Sequence, residues 1–268
     1  MSAPRVSVVV SHYDRVPWLR EALASIRTQS FTNYEIVVVN DAGPHDAEAG
    51  QLADAFGARH VCRAANGGVA ATRNTGVREA RGALVAYLDD DDLWRPRHLE
   101  GLVGLLDARP EVEIAYGDAE VWRIEPPDAG SSADVTPAAW RTLDRLVLAV
   151  PFDLDDLKLD DFIVPGAMVH RRAFYDRVGA FDETMFVSDD WDWLLRAHEI
   201  AGTAAFARLP EVVTTVRIVA GVGNLSYDFG ARRLAALAEI ERRHGTPPLA
   251  PKSFWEVAET YAARGAGS

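Results

Sequence analysis

The chain has 268 residues, 48% of them hydrophobic, enough for one large domain or two fused halves around a substantial core. A formal net charge of −12 and a pI of about 5.0 argue against general affinity for nucleic acid or anionic membranes. Cys62 is the single cysteine, which excludes an intrachain disulfide. No apolar run reaches the length of a membrane span, and the start MSAPRVSVVV lacks the apolar core of a secretory signal. The expectation is a cytoplasmic protein without a transmembrane segment, with peripheral membrane association left open.

In chain order, two periods alternate. Val6–Val10 is a β-branched run, and Trp18–Arg27 carries Trp18, Leu19, Ala22, Leu23 and Ile26 at helical spacing. Ile36–Val39 is a second apolar run, followed by a short helix around Leu52, Ala53 and Phe56 and a short strand over Arg59–Cys62. Cys62 at the end of that strand reads as buried filler. Val69–Ala80 predicts a helix, Ala83–Leu88 a strand, Leu99–Leu106 a helix and Val112–Tyr116 a strand. This alternation predicts an α/β domain with a mostly parallel central sheet and helices on both faces.

Beyond residue 117 the pattern changes. Glu125–Thr136, with Pro126, Pro127 and Gly130, predicts a loop. Residues 137–161 mix a short helix with the acidic run DLDDLKLDD, read as a solvated face. Phe162–His170 and Val212–Val219 look extended, and Asp190–Ile200, Ala231–His244 and residues 253–264 look helical. The expected organisation is 1–117 as a first half, 118–228 as a second half of the same domain, and 229–268 as a C-terminal helical extension.

Four stretches carry chemistry. Asp89-Asp90-Asp91-Asp92 directly follows an apolar strand. Ligands of open α/β sheets bind beyond strand carboxyl ends, and adjacent carboxylates invite a hard divalent cation such as Mn²⁺ or Mg²⁺. Asp41 ends another strand, where it serves either the same crevice or an Asx-turn. Asn66-Gly67-Gly68 opens a helix so that backbone N–H groups face a ligand, and Arg73 on that helix is either a surface residue or an electrostatic clamp. Ser188-Asp189-Asp190-Trp191-Asp192-Trp193 offers helix-start acids, one of which suits a general base. Trp191 and Trp193 offer faces on which sugars stack, or belong to the core.

The ordered set of VSVVVSHYDR, VVVNDAG, NGGVAATRNTG, RGALVAYLDDDDLWRPRHLE, VHRRAFYDRVGAFDE and SDDWDWLLR resembles the family 2 glycosyltransferases, over roughly residues 5–226. That resemblance implies a GT-A fold and inverting transfer of a sugar from a nucleotide-diphospho-sugar, UDP-linked as the commonest case, to an acceptor hydroxyl. Ser11 and Tyr13 would meet the nucleotide, Tyr13 stacking on the base, and Asp41 would accept a hydrogen bond from uracil. Gly67 and Gly68 would lie near base and ribose. In the Asp-x-Asp stretch Asp90 would lie at the ribose, Asp91 would be the main metal ligand, Asp89 would join it at the metal and bind the donor nucleotide, and Arg73 would also bind the donor. Residues 1–117 would then be the donor-binding half and 118–228 the acceptor-binding and catalytic half. Asp189 and Asp190 match the paired acids, with Asp190 as catalytic base, and Asp189 and Asp192 are expected to raise its pKa. Trp191 and His170 are expected on the acceptor side. The acceptor would be a glycan, a lipid-linked sugar, a protein or a small molecule, in polysaccharide or glycoconjugate biosynthesis.

One departure stands out: many relatives carry a metal-ligating histidine where this chain has Val219. It keeps open an alternative, a weak or inactive sugar-nucleotide-binding protein of the same fold. The segment Ala220–Ser226 is expected to order over the donor. A dinucleotide dehydrogenase or a sugar nucleotidyltransferase would need glycines after the first strand, and SHYDRVPW has none. An Asp-nucleophile phosphatase would usually carry Asp-x-Asp after the first strand rather than after Leu88.

Overall fold

The computed structural model describes residues 3–127, 136–220 and 230–265. The expected loop at 125–136 and the segment Ala220–Ser226 therefore fall largely outside the described residues.

The first half runs β1 (Val6–His12), α1 (Val16–Arg27), β2 (Tyr34–Asn40), α2 (Asp46–Ala55), β3 (Arg59–Cys62), α3 (Gly68–Glu79), β4 (Leu84–Asp89), β5 (Leu93–Trp94) and α4 (His98–Ala108). The second half runs β6 (Ile114–Glu125), β7 (Arg141–Leu148), α5 (Leu154–Leu157), β8 (Met168–Arg171), α6 (Arg172–Val178), α7 (Asp189–Ala201), β9 (Phe206–Val219), α8 (Ala231–His244) and α9 (Phe254–Gly265). All nine strands join one sheet in the order β3-β2-β1-β4-β8-β6-β9-β5, with β7 paired to β6. The strands β3, β2, β1 and β4 are mutually parallel. Every antiparallel pairing includes a strand from beyond residue 113.

The sequence produces this layering directly. Val6, Val8, Val9 and Val10 are all fully buried, because β1 lies at the sheet centre with helices over both faces. Its even-numbered valines pack with Leu19, Leu23 and Ile26 of α1 on one side, whereas Val9 joins Val37, Tyr87 and the second-half core on the other. Each such large apolar side chain contributes roughly 1.5–3 kcal/mol relative to exposure.

Two glycines allow close approaches. A Cβ at Gly76 in α3 would lie 2.1 Å from Val9 Cγ1, so α3 sits directly on β1. A Cβ at Gly43 would lie 1.4 Å from the Tyr13 carbonyl oxygen, so the loops after β1 and β2 meet backbone to backbone.

The second half departs from expectation in three places. Arg141–Leu148 is a strand rather than part of a short helix. Most of its residues are exposed, so no buried alternation marks it in the sequence. Only the end of Phe162–His170 is a strand, since Pro165–Ala167 forms a 3₁₀ turn before β8. The acidic run is solvated only in part. Asp153 caps α5, accepting from the N–H groups of Asp155 at 2.8 Å and Asp156 at 3.2 Å, whereas Asp160 is buried and ion-paired to Lys252. Cys62 is exposed rather than buried, because β3 is an edge strand with no neighbour beyond it.

The Gly76 contact gives a stability prediction with a built-in control. Gly76→Ala should destabilise the fold by about 1–3 kcal/mol through overpacking. Gly104→Ala, on an exposed face of α4 with no atom within 4 Å, should be neutral or stabilise by about 0.5–1 kcal/mol. Urea unfolding of the two variants measures the contrast.

Candidate active site

The parallel register aligns three strand ends: Ser11 pairs with both Val39 and Asp89, and His12 pairs with Asn40. The loops that follow open onto one crevice of about 550 Å³. Ser11, Tyr13, Asp41, Gly68, Arg73, Asp89, Asp90, Asp91, Asp189 and Asp190 all line it. The four stretches read from the sequence thus converge.

Arg73 is the hub. The guanidinium is buried, and its Nη1 donates to Asp189 Oδ2 at 3.1 Å while Nη2 donates to Asp89 Oδ2 at 3.1 Å. Asp190 Oδ2 lies 3.8 Å from Nη1. One cation therefore ties the end of β4 to the start of α7, 116 residues further along the chain from itself. Burial opposes the charge of Arg73, but Asp89, Asp189 and Asp190 more than restore it, and its pKa rises. Of its two possible roles, the clamp is the one realised. The neighbouring Asn74 works as a latch: its Nδ2 donates to the Phe181 carbonyl at 2.9 Å, and its Oδ1 accepts from the Tyr175 hydroxyl at 2.6 Å.

The acidic run is split by its partners. Asp90 is buried between His12 Nδ1 at 2.8 Å and Arg15 Nη2 at 2.6 Å; burial opposes its charge, but the Arg15 guanidinium and the His12 hydrogen bond hold its pKa down. Asp91 Oδ2 accepts from Arg15 Nη1 at 2.8 Å. Asp92 accepts from the Arg217 backbone N–H at 3.0 Å, and burial pushes its pKa well up. Burial likewise raises Asp89, whose Oδ1 is enclosed without a partner. The Arg217 side chain donates to the Asp91 carbonyl, pairs with Glu21 at 2.6 Å and lies over the Trp18 ring.

Asp41 folds the glycine loop around itself. Its carboxylate accepts from Gly67 N–H at 3.0 Å and Gly68 N–H at 2.8 Å, and pairs with Arg63. Gly68 begins α3 at φ +84°, a left-handed conformation that favours glycine. Tyr13 projects into solvent at the crevice edge, and the Ser11 hydroxyl is enclosed without a partner.

At the other end, Ser188 adopts φ 62°, unusual for a residue with a side chain, and turns the chain into α7. Asp189 is buried, and that burial raises its pKa to about 7. Asp190 is more accessible. Its Oδ1 accepts from the Trp191 N–H at 3.0 Å. Asp192 does not join them: it is held by Arg196 at 2.8 Å and by Arg243 and His244 at 3.1 Å each. Although burial opposes it, those partners lower its pKa to about 2.

Two residues expected on the acceptor side belong to the core. Trp191 is buried and donates from Nε1 to the Leu157 carbonyl at 2.6 Å. His170 is fully buried, bonded through Nε2 to the Tyr87 hydroxyl at 2.8 Å, and burial lowers its pKa to about 4. Neither lines the crevice: Trp191 packs within the hydrophobic core, and the His170 ring lies against Tyr87, Tyr175 and Trp193. Val219, in the place of the absent histidine, packs with Trp18 and Ile124. Sequence reasoning also missed His12, Arg15, Arg63, Asp161 and Arg233. The signal for the first two was available: four consecutive acids beside a strand end require nearby N–H donors and positive charge, and His12 ends the adjacent strand while Arg15 follows it.

Among the described residues, no group of three His, Cys, Asp or Glu side chains is arranged to hold a metal ion, and no helix is long and apolar enough to cross a membrane.

The strand order and crevice define an α/β nucleotide-diphospho-sugar transferase fold of the GT-A type. The Glycosyl transferase family 2 model matches residues 7–176, and the chain belongs to that family. It is 30% identical over 250 residues to the uncharacterized glycosyltransferase YwdF of Bacillus subtilis, covering 93% of this chain and 88% of that protein. Among solved structures it is similar to S. aureus TarS 1-349 in complex with UDP-GlcNAc, with a TM-score of 0.66 at 17% identity, covering 89% of this chain and 64% of that one. It is also similar to the mannosyltransferase PcManGT from Pyrobaculum calidifontis in complex with GDP-Man and Mn²⁺, with a TM-score of 0.60 at 22% identity, covering 98% of this chain and 70% of that one. The chain spans less than a third of the length of several other curated relatives.

The raised pKa of Asp189 makes stability depend on pH. The folded protein keeps this proton to about pH 7, whereas the unfolded chain releases it near pH 4. The stabilisation from this group is full below about pH 4 and is lost as pH rises towards 7. Asp189→Asn should therefore lose stability less steeply than the parent between pH 4 and 7. Parallel urea-unfolding profiles for the two proteins would contradict this assignment.

Proposed function

We propose that this glycosyltransferase moves a sugar from a UDP-sugar to an acceptor hydroxyl by a single inverting displacement, with Asp190 as general base. The observation that carries the reading is the Arg73 clamp, which sets Asp190 on the same crevice as Asp89, Asp91 and Asp41.

In this reading residues 1–117 supply the donor side. Tyr13, exposed at the rim, stacks on the base, and Asp41 accepts from uracil while organising Gly67 and Gly68. Ser11 offers a free hydroxyl to the nucleotide, and Asp90, fixed by His12 and Arg15, faces the ribose. The bound UDP-GlcNAc and GDP-Man of the two structural neighbours support a nucleotide-sugar donor.

Asp91 and Asp89 would hold a divalent cation. Their carboxylate oxygens suit Mn²⁺ or Mg²⁺, and Asp89 Oδ1 is an enclosed acceptor without a partner. Among the described residues no closed cage of three such ligands is formed, so donor phosphates and water would supply the remaining ligands, as is common for Mg²⁺. When bound, the cation offsets charge on the departing diphosphate. The Mn²⁺ in the PcManGT complex supports this assignment.

Residues 118–228 carry the acceptor side, with 229–268 as a helical extension. Asp189 keeps its pairing with Arg73, while Asp190 presents an oxygen to the crevice, where it takes the acceptor proton. The hydroxyl oxygen attacks the anomeric carbon from the face opposite the leaving diphosphate, which gives inversion.

Asp190→Asn should fold normally and bind UDP with unchanged affinity by calorimetry, yet lose sugar transfer by at least a hundredfold, the scale of a general base. The assay reads release of nucleoside diphosphate across UDP-glucose, UDP-GlcNAc and GDP-mannose. Normal turnover in that variant removes Asp190 from the role. Chelation with EDTA should abolish activity, and Mn²⁺ or Mg²⁺ should restore it. Full activity after exhaustive chelation would remove the cation from the reaction.

A further inference from the structure

The crevice beyond Asp190 is walled by segments outside the acidic and glycine motifs. Lys252 Nζ donates to both carboxylate oxygens of Asp160 at 2.8 Å, and Arg264 Nη1 donates to Asp156 at 2.6 Å. These pairs fasten α9 to the chain around α5. Asp161, Phe254 and Val257 thereby line the same cavity as Asp190, together with Phe186 and with Arg233 of α8.

Two enclosed polar atoms in this region have no hydrogen-bond partner: Asp161 Oδ1 and Arg233 Nε. Arg233 directs its other N–H groups at neutral oxygens, the Lys252 carbonyl at 3.0 Å and the Ser188 hydroxyl at 3.4 Å. Among the described residues neither Asp161 nor Arg233 belongs to an ion pair. Enclosed polar groups are almost always paired, so two orphans in one cavity mark where the polar atoms of a ligand go.

Their chemistry selects that ligand. Burial, reinforced by the nearby Asp190, pushes the Asp161 carboxyl well above the usual range, although Arg233 partly offsets this. That shift favours the protonated carboxyl, which offers an O–H beside the unpartnered Oδ1. Arg233 keeps its charge and offers an N–H. Two donors, one of them cationic, complement an oxygen-rich anion.

We propose that Asp161 and Arg233 form an acceptor subsite for an acidic sugar, one bearing a carboxylate or a phosphate, whose carbon skeleton lies against Phe186, Phe254 and Val257. The proposal rests on the reading that the Asp190 end of the crevice receives the acceptor. It places acceptor choice largely on the C-terminal helices, whereas the donor is held by the first half.

The test titrates the UDP-saturated protein with glucuronate, glucose 6-phosphate and glucose, using ligand-observed NMR. At least one of the two acids should bind tenfold or more tightly than glucose, and the stronger acid tells carboxylate from phosphate. Arg233→Gln should remove that preference while leaving UDP affinity unchanged, which also confirms folding. Asp161→Asn, which keeps an N–H donor, should retain more of it than Asp161→Leu. The subsite is refuted if the acids bind no better than glucose, or if the preference survives in Arg233→Gln. It is also refuted if Arg233→Gln weakens UDP, because Arg233 then serves the donor. If the parent protein does not bind UDP, the donor reading fails on its own, and the acids are titrated against the free protein by the same criteria.

Discussion

The site depends on one buried guanidinium. Arg73 sits where the carboxylates of Asp89, Asp189 and Asp190 would otherwise confront one another in a medium of low polarity. Without a cation there, burial would force some of these acids to protonate or move apart. With it, the end of a strand and the start of a distant helix are held at a fixed separation. The arginine comes from α3, which packs on β1 through Gly76, so the clamp inherits the rigidity of the sheet. Asn74, one residue along, repeats the arrangement with neutral groups by gripping the Phe181 backbone.

Much of this was legible in the amino-acid sequence. The valine runs of β1 and β2 and the alternation through α4 mark the parallel half because buried parallel strands are apolar on both faces. The acids at 89–92, 41 and 189–190 stand out because each terminates or begins a regular element. What stayed hidden had physical causes. β7 is an edge strand with most residues in water, so it shows no apolar face. Trp191 and His170 look functional by residue type, and only tertiary packing shows that their rings are covered. Asp161 was absorbed into an acidic run that reads as surface, although Asp160 beside it is paired to a lysine more than ninety residues away. Such a pairing leaves no local pattern.

The two halves use charge differently. In the first half each acid has a designated cation or N–H group: Arg15 and His12 for Asp90, Arg63 and the glycine loop for Asp41. In the second half, Asp161 Oδ1 and Arg233 Nε have no hydrogen-bond partner among the described residues. The first arrangement is preorganised, which lowers the cost of holding a polyanionic ligand. The second leaves its polar capacity for whatever enters, and the α5–α9 ion pairs keep those groups in position.

The contact between Gly43 and the Tyr13 carbonyl has a bearing on how such a crevice diversifies. The floor of the crevice beneath Tyr13 is a lamination of two main chains, with no side chain separating them. Substitutions around it can change which groups face outward, but the spacing between the layers is set by van der Waals radii. Variation in what the crevice accepts is thereby channelled into its rim, at positions such as Tyr13, while the depth of the slot stays constant.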